Sequence, residues 1–174
     1  MSILSLLNFS NIAVENYQID STKVSDDYRF VHISDIQFGS VGKEYLDRVI
    51  ELAIDQQPDF IVFTGDLIDF DYYKLEDFDI FKNIDVPIFF ERGNHEFYHF
   101  PERIMEYLQT FSIIEVLDNK KVDFNDEITI TGIDYNEQTH DNFKSVLSSI
   151  AIDTTKFNIQ LFHSPEFVEY SAEQ

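Results

Sequence analysis

The sequence lacks, or has little of, several residue types and segments that particular classes of protein require. It contains no cysteine, which excludes disulfide bonds, iron–sulfur clusters, thiolate zinc sites and a cysteine nucleophile. It has no tryptophan, and with 5 glycines and 4 prolines the tight turns must be few. No stretch approaches the roughly 20 apolar residues that a membrane-spanning helix needs. No basic region precedes the short apolar stretch at the start, so a signal peptide is not expected and the protein is predicted to be cytoplasmic.

Positive charge is scarce. The 174 residues include 12 Lys and Arg against 33 Asp and Glu, which gives a formal net charge of −21. A surface this negative repels nucleic-acid backbones and anionic lipids, so long nucleic acids are not expected as partners. The length is that of one domain, and the hydrophobic fraction of 44% is ordinary for a globular protein. We therefore expect a single domain over residues 1–174, with residues 1–27 as an N-terminal docking segment.

Apolar runs predict strands at residues 30–33, 60–63, 86–90 and 157–162. The first three runs are continuous, which is typical of strands buried on both faces of a sheet, and the fourth alternates with polar residues. Residues 42–59 carry apolar side chains at helical spacing and complete a strand–helix–strand unit with the first two runs. Other segments are predicted as helices at 73–83, 102–110 and 141–150, and as extended structure at 112–133. The predicted fold class is α/β with mixed β-sheets.

Each apolar run is followed at once by residues that can bind a metal ion. In chain order they are Asp35 and Gln37, Asp66 and Asp69, Asn94 with His95 and Glu96, and His163. Because sites form outside the carboxyl ends of parallel strands, these side chains should converge at one edge of the sheet. Carboxylate and amide oxygens together with imidazole suit Mn, Fe or Zn, and two such ions can clamp a phosphate and activate water. Asp66 is placed where one carboxylate could bridge two ions.

In these motifs the sequence resembles the calcineurin-like metallophosphoesterases, whose pattern is D-x-H, GDxxD, GNH[DE], a single His and GHxH. The most similar stretches are PDFIVFTGDLID, RGNHE and NIQLFHSPE, and the resemblance runs from about residue 29 to the last residue. It implies a two-sheet αββα sandwich and a phosphoesterase that cleaves a phosphodiester or phosphoanhydride bond with metal-bound hydroxide. The similar bacterial subgroup is often associated with membranes. The expected substrate is therefore a phosphorylated small molecule or lipid. A peripheral association with a membrane is also possible.

Carried onto this sequence, the resemblance implies that Asp35 holds a first divalent ion, that Asn94 and His163 hold a second, and that Asp66 bridges both. Gln37 stands where the family has a histidine, and an amide oxygen is a poorer ligand than imidazole. The closing GHxH motif is absent from the sequence, so the C-terminal part of the family domain is expected to be missing. We therefore expect two Mn, Fe or Zn ions, of which the first is weakly held.

The resemblance also implies the catalytic residues. His95 would contact the scissile phosphate and protonate the leaving group, and Glu96 would orient His95. Arg92 is a candidate phosphate contact beside Asn94 and His95, and an ion pair on the acidic surface is its alternative role. Asp69 is expected to support its loop.

Other interpretations remain open at this point. The same fold could serve as a non-catalytic protein-binding scaffold or be an inactive fragment, whose partner would be another protein or the missing C-terminal segment. Asp35, Asp66 and Asn94 could be turn formers or helix caps. His32 is predicted to be a core histidine, and His99 and His140 match no motif. The aromatic residues at 97, 98 and 100 are predicted to pack in the core, with an apolar substrate cleft as the alternative.

Overall fold

Two β-sheets form the centre of the protein. The structure is a computed structural model that describes residues 12–70, 73–98, 102–135 and 139–172. The strands in these residues are β1 Phe30–Ile33, β2 Phe60–Thr64, β3 Ile88–Glu91, β4 Ile114–Val116, β5 Lys120–Asp123, β6 Ile128–Gly132 and β7 Phe157–Leu161. Strands β1 to β4 form a parallel sheet in chain order. In the second sheet β6 is central, antiparallel to β5 and parallel to β7.

The described residues also form six helices. They are α1 Lys43–Asp55, a 3₁₀ helix Leu75–Asn83, α2 Asn94–Tyr98, α3 Glu102–Leu108, α4 His140–Ser149 and α5 Val168–Ala172. In α1 the buried side chains Leu46, Ile50 and Ala53 recur every three to four residues, which places them on one helix face. The predicted helix at 73–83 is a 3₁₀ helix, and α2 was not predicted as a separate helix.

The apolar side chains fall into layers. One core lies between the parallel sheet and its helices, and it contains Phe63, Phe90 and the α1 residue Ile50. A second core lies between the sheets and contains Phe60, Val62, Phe89, Leu117, Ile128, Ile130 and Leu161. A third joins Phe143 of α4 to Phe167, next to α5. Together with one parallel and one mixed sheet, these layers confirm the predicted α/β sandwich.

The first strand differs from its prediction. Strands β2 and β3 are buried along their whole length, but Phe30 and His32 of β1 are exposed. Contacts between the sheets join β2 to β7 and β3 to β6. Phe30 and His32 share a face of the sheet with Phe60 and Val62, which pack between the sheets, but β1 is an edge strand that the second sheet does not cover. The prediction that His32 is a core histidine is wrong for this reason.

The segment before β1 contacts the second sheet. Glu127 accepts hydrogen bonds from the Ser25 N–H at 2.9 Å and from the Tyr28 hydroxyl at 3.0 Å. Val24 and Tyr28 also pack against the core between the sheets. Residues 1–11 of the predicted docking segment lie outside the described part of the chain. Within the described part, no helix is long and apolar enough to cross a bilayer.

Candidate metal centre

The predicted metal ligands follow three strands of the parallel sheet and one strand of the second sheet. Asp35 and Asp66 are each the second residue after their strands, β1 and β2, and His163 is the second residue after β7. Asn94 follows β3 and opens α2. Asp35, Asp66 and His163 each offer one ligand atom, and these three atoms all lie within 4.8 Å of one another. The expected convergence at the sheet edge is therefore present.

The loops after β1 and β2 are joined through their backbones. The N–H of Asp35 donates to the carbonyl of Gly65 at 3.1 Å, and the N–H of Gln37 donates to the carbonyl of Asp66 at 2.9 Å. Asp35, Gln37 and Asp66 all have positive φ angles, of 55°, 53° and 54°. A residue other than glycine held in this region is strained by about 1–3 kcal/mol, and such strain is concentrated at functional sites. The sequence carried no signal of this strain.

Two glycines allow the loops after β2 and β3 to touch. A Cβ at Gly65, whose φ is 80°, would lie 2.0 Å from the Gly93 nitrogen. A Cβ at Gly93 would lie 2.3 Å from Asp66 Oδ1 and 2.9 Å from His163 Nδ1. Any side chain at position 93 would therefore enter the metal centre.

The ring of His163 is oriented through its Nδ1. Its Nδ1 lies 2.7 Å from the Thr64 carbonyl oxygen, which can only accept, so this nitrogen carries the proton. In the neutral ring Nε2 then presents a lone pair, 2.9 Å from Asn94 Oδ1 and 3.6 Å from Asp66 Oδ1. Three acceptors that face one another repel, and a cation between them removes that repulsion. A ring nitrogen whose partner nitrogen donates to a carbonyl is also the usual arrangement of a metal-binding histidine. The donor set thus fits a divalent cation.

Asp66 is the central anion of the site. Its side chain is 3% exposed, and its Oδ1 accepts a hydrogen bond from the His95 N–H at 3.0 Å. Gln37 lies beside Asp66 through its backbone, and its part as a ligand through the side chain stays a prediction.

Glu96 does not lie where the sequence interpretation placed it. The side chain is 1% exposed and accepts hydrogen bonds from four backbone N–H groups. These belong to Asp66 and Leu67, both at 2.7 Å, to Gly93 at 2.9 Å and to Ile68 at 3.2 Å. Burial raises the pKa of Glu96, and the hydrogen bonds oppose that rise. The predicted role of Glu96 in orienting His95 is therefore corrected, because its carboxylate holds the loops after β2 and β3 together.

Asp69 is the carboxylate beside the ring of His95. His95 Nδ1 lies 2.9 Å from Asp69 Oδ1, and Nε2 lies 3.8 Å from Asp66 Oδ2. Asp69 also supports its loop, as predicted, since its N–H donates to the Phe38 carbonyl at 2.8 Å and its Oδ2 accepts from the Ser40 hydroxyl.

Arg92 is held by carboxylates. Its guanidinium forms ion pairs with Asp134, which is 3% exposed, and with Asp118 at 3.1 Å. The structure thus favours the ion-pair alternative over a phosphate contact. The ion pair between Arg92 and Asp134 links the end of β3 to the residues after β6.

Glu91 is a buried acid that sequence reasoning missed. It closes β3 with 0% exposure, and among the described residues no donor reaches either carboxyl oxygen in good hydrogen-bond geometry. Burial, followed by the nearby charge of Glu96, raises its pKa well above the usual value, while the charge of Arg92 and the nearby N–H groups of Tyr135 and His163 act in the opposite direction. The sequence did carry a signal for this buried acid, because Glu91 directly continues the apolar run Ile88–Phe90.

Of the other histidines, the structure describes a side-chain contact for His32. His32 Nε2 lies 2.7 Å from the Thr64 hydroxyl. His140 begins α4, and His99 lies outside the described residues.

Comparison with known proteins gives a consistent family. The model of the calcineurin-like phosphoesterase family matches residues 28–173. An uncharacterized metallophosphoesterase of Campylobacter jejuni is 29% identical over 164 residues, which cover 88% of this chain and 42% of that protein. Uncharacterized metallophosphoesterases of two Helicobacter pylori strains are 26% identical over 151 residues, or 83% of this chain and 40% of those proteins. The chain thus spans about two fifths of the length of these curated relatives.

Proposed function

The chain belongs to the calcineurin-like phosphoesterase family, and from this premise we propose that it hydrolyses a phosphodiester or phosphoanhydride bond with His95 as the general acid. The arrangement around His163 carries the proposal. Its Nε2 faces the oxygens of Asn94 and Asp66, at 2.9 Å and 3.6 Å, in a cluster that a divalent cation would stabilise. Asp35 brings a further carboxylate to the same cluster.

Two divalent ions of the Mn, Fe or Zn type are the proposed cofactors. Asp66, Asn94 and His163 would hold one, and Asp35, Asp66 and Gln37 would hold the other more weakly. When bound, such ions supply Lewis acidity and an activated water. The buried carboxylate of Asp66 lies in both ligand sets.

His95 supplies the proton in this proposal. With Nδ1 against Asp69, its other nitrogen points toward the metal centre, 3.8 Å from Asp66 Oδ2. Asp69 stabilises the protonated ring and fixes its orientation, so Nε2–H is the atom that protonates the leaving oxygen. General acid catalysis by a positioned histidine is worth roughly 10²–10⁴ in rate.

The test is hydrolysis of bis(p-nitrophenyl) phosphate in the presence of Mn²⁺. We expect activity that EDTA abolishes and that falls by about 10²–10⁴ in His95→Asn, while Mn²⁺ binding measured by calorimetry persists. Asp47→Asn, on the outer surface of α1, is the matched control and should retain activity. No metal-dependent hydrolysis with Mn²⁺, Fe²⁺ or Zn²⁺ would contradict the proposal. A protein partner whose binding ignores both metal and Asp66→Ala would instead support the scaffold hypothesis.

A further inference from the structure

Aromatic side chains beyond the carboxyl ends of the strands differ in what they contact. Phe97 and Tyr98 end α2 and are 40% and 57% exposed, so the prediction that they pack in the core is wrong. Residue 100 lies outside the described residues. Tyr135, which comes after β6 of the second sheet, is partly buried and contacts a proposed metal ligand.

The metal ligand that Tyr135 contacts is His163. The two rings meet edge-on, with centroids 5.6 Å apart and an interplanar angle of 79°. Perpendicular contacts at this distance are a favoured geometry of aromatic pairs. The contact joins the ends of two neighbouring strands, because Tyr135 is the third residue after β6 and His163 is the second residue after β7.

The hydrogen bond to Thr64 does not by itself hold the imidazole of His163 in one orientation. Nδ1 donates to the Thr64 carbonyl at 2.7 Å, and a single hydrogen bond tolerates a range of ring tilts. A tilt would carry Nε2 away from Asn94 Oδ1, at 2.9 Å, and from Asp66 Oδ1, at 3.6 Å. Because the ring of Tyr135 lies nearly perpendicular to the imidazole and in contact with it, Tyr135 limits this tilt.

The backbone that carries Tyr135 is anchored through the preceding residue. Asp134 is 3% exposed, its N–H donates to Asn119 Oδ1 at 3.0 Å, and its carboxylate forms an ion pair with Arg92. Arg92 lies two residues before Asn94 in the loop after β3. The same ion pair therefore ties the loop that carries Tyr135 to the loop that carries the oxygen ligand Asn94.

We propose that Tyr135 is a positioning residue of the metal centre, which holds the imidazole of His163 so that Nε2 stays aimed at the oxygens of Asn94 and Asp66. This inference rests on the proposed function, because it takes His163 as a metal ligand. A ligand that is already held in its binding orientation loses less freedom when the ion binds, so the ion binds more tightly.

The first experiment measures Mn²⁺ affinity by calorimetry. Tyr135→Ala removes the ring, and we expect the Kd for Mn²⁺ to rise by about 10-fold, the lower end of the effect of losing a group that orients a metal ligand. Tyr135→Phe keeps the ring and should bind Mn²⁺ as the wild type does. The control Tyr17→Ala removes a ring that is 84% exposed in the N-terminal segment, and its Kd should not change. Wild-type affinity in Tyr135→Ala, or equal losses in Tyr135→Ala and Tyr135→Phe, would overturn the proposal.

The second experiment observes the ring of His163 in the metal-free protein. Long-range nitrogen–proton NMR correlations report which ring nitrogen carries the proton, and His163→Gln identifies the signals of His163. At a pH where the ring is neutral, we expect the proton on Nδ1 alone in the wild type and in Tyr135→Phe. We expect a mixture of both tautomers in Tyr135→Ala, since a ring that is free to tilt loses its fixed hydrogen bond to the Thr64 carbonyl.

The tautomer separates positioning from a general effect on the fold. A loss of Mn²⁺ affinity in Tyr135→Ala with an unchanged tautomer of His163 would show that Tyr135 only stabilises its loop, and it would overturn the proposal. A mixture of tautomers in the wild type would also overturn it, because the ring would then not be held.

The two measurements also separate this inference from the proposed function. If Mn²⁺ binds but no phosphodiester is hydrolysed, the proposed function fails, and the Mn²⁺ affinities of the variants still decide the role of Tyr135. If the wild type does not bind Mn²⁺, the proposed metal centre fails too, and the tautomers of His163 in the three proteins decide whether Tyr135 orients its ring.

Discussion

The ring of His95 rests against the carboxylate of Asp69, with 2.9 Å between Nδ1 and Oδ1. Asp69 is fixed in turn by the hydroxyl of Ser40 and by the backbone of Phe38. The proposed general acid is therefore oriented by the loop after β2, and the loop after β1 supports that carboxylate.

Replacing Asp69 should impair catalysis and leave the metal centre intact. Asp69→Asn keeps the size of the side chain but removes the charge that stabilises a protonated His95. We expect kcat to fall by about 10–100-fold, the usual effect of removing a group that orients a site residue. Steady-state assays of phosphodiester hydrolysis measure this, with Asp47→Asn as control. An equal loss of Mn²⁺ affinity would show instead that Asp69 maintains the metal centre.

Gly93 should tolerate no side chain. The Cβ of Gly93→Ala would lie 2.3 Å from Asp66 Oδ1, so Asp66 or the loop must move. We expect unfolding free energy to fall by about 1–3 kcal/mol and Mn²⁺ affinity to fall by at least about tenfold. Urea denaturation measures the unfolding free energy, and calorimetry measures the Mn²⁺ affinity. In the control Gly42→Ala, the new Cβ meets only the flexible end of Glu44 at 3.1 Å, and both quantities should change little. Wild-type affinity in Gly93→Ala would contradict the geometry.

Glu96 should matter first for stability. In Glu96→Gln an amide NH₂ replaces one carboxylate oxygen, and each oxygen accepts from two backbone N–H groups. Two buried donors then lose their acceptor, and we expect a loss of about 2 kcal/mol or more in unfolding free energy. Urea denaturation of the metal-free protein measures it, with the exposed Glu106→Gln as control. A variant of wild-type stability that has lost only activity would restore a catalytic role for Glu96.

Glu91 should make the fold less stable as pH rises. Because burial raises its folded pKa, the folded protein binds a proton that the unfolded chain releases above the usual glutamate pKa of about 4.3. Its contribution is fully present below that pH and is lost as pH rises toward the folded pKa, with a slope of at most about 1.4 kcal/mol per pH unit. The amide of Glu91→Gln does not titrate, so the stability of this variant lacks the contribution of Glu91 to the pH dependence.

A comparison of the wild type with Glu91→Gln isolates the contribution of Glu91 to the pH dependence of stability. Denaturation of both metal-free proteins between pH 4 and pH 8 should show Glu91→Gln gaining on the wild type as pH rises. Curves that stay parallel across this range would contradict a raised folded pKa.

Much of this architecture could be predicted from the sequence. Continuous apolar runs identified β2 and β3, and parallel strands carry whatever follows them to one edge, so the cluster of Asp35, Asp66 and His163 could be predicted without coordinates. The same reasoning does not show which loop backbone a given side chain contacts, as the example of Glu96 illustrates. Consecutive residues on a helix point about 100° apart, so Glu96 turns into the protein where His95 faces the site.

The remaining differences depend on tertiary packing. The pattern of β1 resembles that of β2, and only the position of the second sheet leaves Phe30 and His32 exposed. Left-handed backbone at Asp35 and Asp66 follows from contacts between two loops, which no local pattern encodes.

The order of the strands sets when the metal centre can form during synthesis. Strands β1 to β4 are added beside one another in chain order, so the carboxylates and Asn94 can be in place early. His163 comes 69 residues after Asn94. At about 5–20 residues per second, a ribosome needs roughly 3–14 seconds to reach it. Through that interval the nascent chain carries the proposed oxygen ligands without the imidazole, and the cluster of Asp66, Asn94 and His163 is complete only once the second sheet has been made.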